Sequence, residues 1–234
     1  MLYLLSWMKG FIPQKMYFPR KDYLISPIGA LVGLAITEGL SKYFLGETNP
    51  WFIAPMGASA VLLFAVPASP LAQPWSIIGG NLIASLIGVT CSQLIPSLGL
   101  AGAIAVGLTI LLAMKARCLH PPSGAVALTA VFGGETIHHL GYLFVIYPTL
   151  INSMLLAAMA LFYNNLVKRS YPHHAQPTPT QPLVTQWSAI ERADIEFALE
   201  NNKELLDINE EDLELLLNIA ERHAQDRDRP KSGT

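Results

Sequence analysis

Histidine, two prolines, serine and glycine follow one another at His120-Pro121-Pro122-Ser123-Gly124-Ala125, inside a long hydrophobic stretch. Each type brings its own chemistry. An imidazole titrates near neutrality and can carry a proton, and a serine hydroxyl both donates and accepts hydrogen bonds. Prolines suit the first turn of a helix, and glycine admits close approach to the backbone. A helix begun here presents unpaired N–H groups and the positive end of its dipole, a combination that binds anions. An earlier run, Pro55-Met56-Gly57-Ala58-Ser59-Ala60, aligns with Pro122-Ser123-Gly124-Ala125-Val126-Ala127 as P-x-G-A-x-A, 67 residues apart. The residues expected to meet an anion are Gly57, Ala58, Ser59, His120, Ser123, Gly124 and Ala125.

Two readings of His120 stand side by side. It is a neutral core histidine donating to a carbonyl freed by the proline break, or a group that contacts the anion or passes a proton. Metal ligation has little support, since only Cys118 stands near it among ligand types; no metal or cofactor is expected. Lys115 and Arg117 either snorkel to an interface or form the cationic mouth of an anion path. Glu38 is an intramembrane acid, with Lys42 four residues on as an i,i+4 partner. Asn81 and Asn152 join helices or line the path, while Gly29/Gly33 and Ser85/Gly88 read as packing seams. His138-His139 reads as a solvated pair, and Cys91 and Cys118 as buried free thiols.

The elements that position these residues follow from hydrophobicity. Apolar residues make up 52% of the 234-residue chain and charged ones 14%, against about 25% charged in soluble domains. From Thr48 to Met114 there is no Asp, Glu, Lys, Arg or His. A soluble fold must charge its surface, so this is a polytopic all-α membrane protein. Its partners are the bilayer and a small anion, with room for a homo-oligomer and no sign of a nucleic-acid surface. Six segments are expected: about 23–45, 51–66, 75–95, 98–114, 122–132 and 142–167. The second and fifth fall short of the roughly 20 residues of a full span.

Six crossings divide into two triplets of opposite orientation, the trace of an inverted repeat with discontinuous helices meeting near the midplane. Lys9, Lys15, Arg20 and Lys21 precede the first segment and Lys168 and Arg169 follow the last, so both ends belong on the cytoplasmic side. Six crossings also put Lys115 and Arg117 inside, and Glu47, Glu135, His138 and His139 outside. A four-span version, with segments two and five re-entrant, moves Lys115 and Arg117 outside and fits the charges less well.

Domain organisation reads as an interfacial segment over 1–21, a transmembrane domain over 22–168, a Pro-rich linker over 169–187 and an acidic helical tail over 188–234. After Trp187 there are 13 acidic and 6 basic residues, and before it 9 basic and 4 acidic. The tail opens on the capping-box pattern Ser188-Ala-Ile-Glu191. Its acidity argues against binding an anionic lipid surface. No cleavable signal or Arg/Ser-rich transit segment is evident, which favours a bacterial plasma membrane over an organelle.

The run from Leu119 to Ala125, following Lys115-Ala-Arg117, resembles the signature of the HPP family of integral membrane proteins. The run from Ala54 to Ala60 looks like that family's other recurrent motif. The resemblance covers roughly residues 22–168. It implies a compact helical domain, usually described as four-spanning, and a role in nitrite transport for members of cyanobacterial and plastid type. Some members carry a C-terminal pair of nucleotide-sensing modules; this tail is too short for them. The expected function is transport of a small inorganic anion, nitrite foremost. The alternatives are an intramembrane lipid-modifying enzyme with His120 as base, against which no acid or nucleophile is spaced to serve it, and a scaffold recruiting a partner through the tail.

Overall fold

The structure, a computed structural model, describes Phe11, residues 19–45 and residues 50–173. Most of the N-terminal segment, Glu47, nearly all of the Pro-rich linker and the whole acidic tail lie outside the described residues. Residues 20–176 form one compact unit.

Its described elements are all helical. Asp22 opens α1 (Asp22–Leu45), its carboxylate favoured by the dipole's positive end. α2 (Pro50–Ala65) leads through a 3₁₀ turn at Pro70–Ala72 into α3 (Pro74–Leu94). Ser69 and Gln73 hold that connector. The Leu71 N–H donates to Ser69 Oγ, and the Gln73 amide donates to the Pro67 and Ser69 carbonyls. α4 (Leu98–Lys115) is followed by the His-Pro-Pro turn, α5 (Ser123–Phe132) and the short α6 (Gly134–Leu140). The last long rod is a π-helical turn, Val145–Leu150, running into α7 (Ile151–Leu166). Tyr147 leaves helical geometry within it, at φ −126° and ψ 116°, beside Pro148. Proline has no N–H for the ladder, which accounts for the break.

Among the described residues, four helical rods are long and apolar enough to cross a membrane: Asp22–Tyr43, Pro74–Leu94, Leu98–Lys115 and Val145–Leu166. α5 has 10 residues and α2 has 16, about 15 and 24 Å at 1.5 Å per residue. Neither alone matches a hydrocarbon core of about 30 Å. One expectation is corrected: Pro55 does not begin a helix. α2 starts at Pro50 and runs through Pro55, giving up one ladder bond rather than breaking.

The long rods form an inner and an outer pair. Over their most apolar 18 residues, α3 and the Val145–Leu166 rod bury 50% and 44%, whereas α1 and α4 bury 17% and 28% and present apolar side chains outward. Glycines bring the chain that follows α4 against α3. A Cβ on Gly80 would lie 2.8 Å from the Cys118 carbonyl and 2.9 Å from His120 Cβ. A Cβ on Gly88 would meet Ala127 O and Ala130 Cβ, both at 2.7 Å. The Trp75 indole donates to Ala116 O, and the Thr90 and Tyr142 hydroxyls lie 3.0 Å apart. Residues 116–142 therefore follow α3 from its first turn to its last.

A polar lock closes one end of the bundle. Arg169 pairs with Asp22 at 2.8 Å, donates to the Phe64 carbonyl and reaches Ser26 Oγ. Tyr171 donates to Ala72 O at 2.7 Å. The chain before α1, the 66–73 connector, the turn after α4 and the segment after α7 thus share that end.

A buried histidine joins two helix motifs

His120 has no exposed surface. Its Nδ1 lies 2.9 Å from Leu71 O. A carbonyl only accepts, so Nδ1–H donates. In the neutral ring Nε2 is then an acceptor, and Ser59 Oγ stands 2.8 Å from it. The same hydroxyl has a second acceptor, Pro55 O, at 3.1 Å. The two motifs therefore meet side chain to side chain, the serine of the earlier against the histidine that precedes the later. Both ring nitrogens are satisfied, which a buried imidazole requires.

Sequence alone missed two of the groups that build this contact and one that ties the end of the bundle. Leu71 contributes a backbone carbonyl and has no side-chain signature; the adjacent prolines and Gln73 are the only trace of its turn. Gly80 leaves the space that the His120 loop occupies, and its signal was the Gly79-Gly80 pair. Arg169 looked like a topology charge but ties Asp22, Phe64 and Ser26 together. A hydroxyl that sequence spacing did not place beside His120 stands there: Ser59 lies 61 positions away in sequence.

The remaining candidates fall into separate groups. Ser123 is 2% exposed, beside the turn. Gly57 and Gly124 are half-buried, and a Cβ added to either meets nothing within 4 Å. Ala58 and Ala125 are exposed. The expected free donors at the start of α5 are engaged. The N–H groups of Ser123, Gly124, Ala125 and Val126 donate to the carbonyls of His120, Pro121, Pro122 and Pro122, at 2.9 to 3.3 Å. Lys115 and Arg117 are exposed at the end of α4, with Arg117 at φ 55°.

Glu38 is exposed on the outer helix α1, as is Lys42, and the two are not paired among the described residues. Two long exposed side chains gain little from such a pair. Asn81 is fully buried and donates to Ser153 Oγ at 2.9 Å, joining α3 to α7. Outside the spans, burial pushes the Tyr171 phenol well above its ordinary range, so it stays a donor to Ala72 O.

Comparison with known proteins finds transmembrane relatives. A transmembrane protein of Dictyostelium discoideum is 39% identical over 125 residues, covering 51% of this chain and 44% of that protein. A second transmembrane protein of the same organism is 33% identical over 156 residues, covering 64% and 49%. The chain spans about half the length of these curated relatives. No solved structure matches. The family model described as the HPP transmembrane region matches residues 16–172, which include both motifs, the Leu71 turn and the Arg169 lock. The chain is an integral membrane protein and belongs to the HPP family.

Proposed function

We propose that this protein carries a small inorganic anion, nitrite foremost, across the membrane through a six-pass domain of two inverted halves. The observation that carries the reading is the Ser59–His120 contact, which links one motif from each half in the buried centre. The packing has the matching symmetry. α1 packs on α2 and on α7, just as α4 packs on α5 and on α3; α2 packs on α7 as α5 packs on α3. Exchanging the triplets α1–α3 and α4, α5, α7 leaves that pattern unchanged. Gly29 and Gly33 of α1 lie against Phe64 of α2, and Gly102 of α4 lies against Phe132 of α5. The course of residues 116–142 along the whole of α3 supports a fifth pass made of broken helices. The polar lock and the cations around it then face the cytoplasm.

Engagement of the α5 N–H groups changes how an anion would be held. The Ser123 hydroxyl becomes the donor, since the Ser59 hydrogen is held by His120 Nε2, while the α5 dipole supplies the field and the open faces of Gly57 and Gly124 admit the ion. His120 positions Ser59. Purified protein in liposomes, offered nitrite, nitrate, chloride and formate with and without a proton gradient, tests this: uptake of nitrite is expected, and no uptake of any anion overturns it.

The same contact favours a second reading. Hydroxyl, imidazole and orienting carbonyl stand in the order of a nucleophile, its base and the group that aligns the base. Both side chains are fully buried, which opposes it. Labelling of Ser59 by an alkyl fluorophosphonate, lost in His120→Gln, would favour hydrolysis of a lipid ester; no labelling removes it.

A further inference from the structure

We infer that the break in the last long helix holds a small monovalent cation, at a cluster formed by Asn81, Thr149, Asn152 and Ser153. Asn81, Thr149 and Ser153 are fully buried and Asn152 is 1% exposed. One hydrogen-bonded chain links three of them, since Asn81 Nδ2 donates to Ser153 Oγ and Ser153 Oγ donates to Thr149 O. Asn152, one turn beyond Thr149, donates from Nδ2 to Pro148 O. What remains are oxygens. Asn81 Oδ1, Asn152 Oδ1 and Thr149 Oγ1 are buried without a partner among the described residues.

Buried acceptors are seldom left unmet, because desolvating them without a bond is costly. Three unmet oxygens on neighbouring turns of two packed helical segments would be met by a positive ligand between them. Neutral hard oxygens suit an alkali ion, and with no carboxylate in the cluster a divalent ion would keep most of its charge uncompensated in the membrane interior. The neighbouring backbone adds to the fit. Tyr147 departs from helical angles and Pro148 has no N–H to donate, so the regular i→i−4 ladder is interrupted beside the three oxygens. Non-helical backbone at this depth is tolerated where it is enclosed by protein or lines a polar cavity. Asn81 and Ser153 each lie between a third and a half of the way along their apolar rods, away from both ends.

The cluster shares no residue with the Ser59–His120 contact, and cation binding is measured without transport. Full-length protein in phosphatidylcholine nanodiscs is unfolded by heat in sodium, lithium, potassium or choline chloride at one ionic strength. At least one alkali ion should raise Tm saturably over choline, by about 5 °C at saturation. Thr149→Val removes an oxygen that makes no bond. It should keep or raise Tm in choline, since a buried unmet hydroxyl is removed, and weaken the ion response about ten-fold or more, the scale seen when even outer ligands are lost. Asn152→Asp adds charge and should tighten the response. Identical Tm in all four salts overturns the proposal. So does an ion response that neither substitution alters, since the ion then binds elsewhere. Chloride is common to every arm, so such a failure leaves the anion reading intact.

Discussion

Ser59 Oγ and His120 Nε2 stand 2.8 Å apart in the buried centre of the bundle, with Leu71 O holding the other face of the imidazole. Replacing His120 with Ala would leave that carbonyl and the Ser59 hydroxyl competing for partners inside a new cavity. The expected loss is about 2–4 kcal/mol of stability. Ser59→Ala removes one partner and should cost about 1 kcal/mol. The double substitution should cost clearly less than the sum, because the two share one bond. Thermal unfolding in nanodiscs measures all three; strict additivity would refute the coupling.

The bonds also fix a tautomer. Nitrogen-15 spectra of histidine-labelled protein at neutral pH should show one ring that is neutral and protonated at Nδ1. A ring protonated at Nε2 alone would contradict the Leu71 bond. Ser59→Ala should leave the tautomer in place, because the Leu71 carbonyl sets it.

Glycines separate packing from passage. Gly80→Ala drives a Cβ to 2.8 Å from the Cys118 carbonyl and 2.9 Å from His120 Cβ. Backbone cannot yield as a side chain can, so a loss of about 1–3 kcal/mol is expected. Gly124→Ala meets open space and should fold normally. Gly124→Leu should insert and fold yet lose nitrite uptake. Uptake at the normal rate in that variant would remove Gly124 from the path.

Arg169 and Asp22 are each 10% exposed at the side chain. Arg169→Met leaves a buried carboxylate unpaired and should cost about 3–5 kcal/mol. Adding Asp22→Asn should recover part of that loss, as the unfolding temperature would report. No recovery would mean that the bond to the Phe64 carbonyl, rather than the ion pair, dominates.

Six passes and four make opposite statements about sidedness. With Cys91 and Cys118 buried, cysteines introduced at Lys115 and Glu135 can be labelled over a low background. An impermeant maleimide should reach Lys115→Cys from the side that reaches Ser170→Cys, and Glu135→Cys from the other. Labelling of residues 115 and 135 from one side would establish a re-entrant fifth segment.

Apolar periodicity, the two motifs and the basic clusters were legible in the sequence, because side-chain type decides each of them. The start of α2 was not. Pro55 looks like a helix start, yet a proline can also ride inside a helix for one lost bond, and Pro50 supplied an earlier start. The engaged donors of α5 were equally hidden, since only the turn geometry of His120–Pro122 reveals that their carbonyls reach the next N–H groups. The break at Tyr147 had a visible trace in Pro148, lost within an otherwise continuous apolar run. The Glu38–Lys42 pairing failed because spacing permits contact on an exposed face without making it favourable.

Leu71 and Ala72 offer neighbouring carbonyls in different directions, one to the His120 imidazole and the other to the Tyr171 phenol. Consecutive carbonyls of a 3₁₀ turn are rigidly related, so the turn works as a lever with one arm in the core and one at the rim. A shift of Tyr171 that moves the Ala72 carbonyl would move the Leu71 carbonyl with it. The segment after α7 is thus tied to the buried His120–Ser59 contact through Tyr171, Ala72 and Leu71.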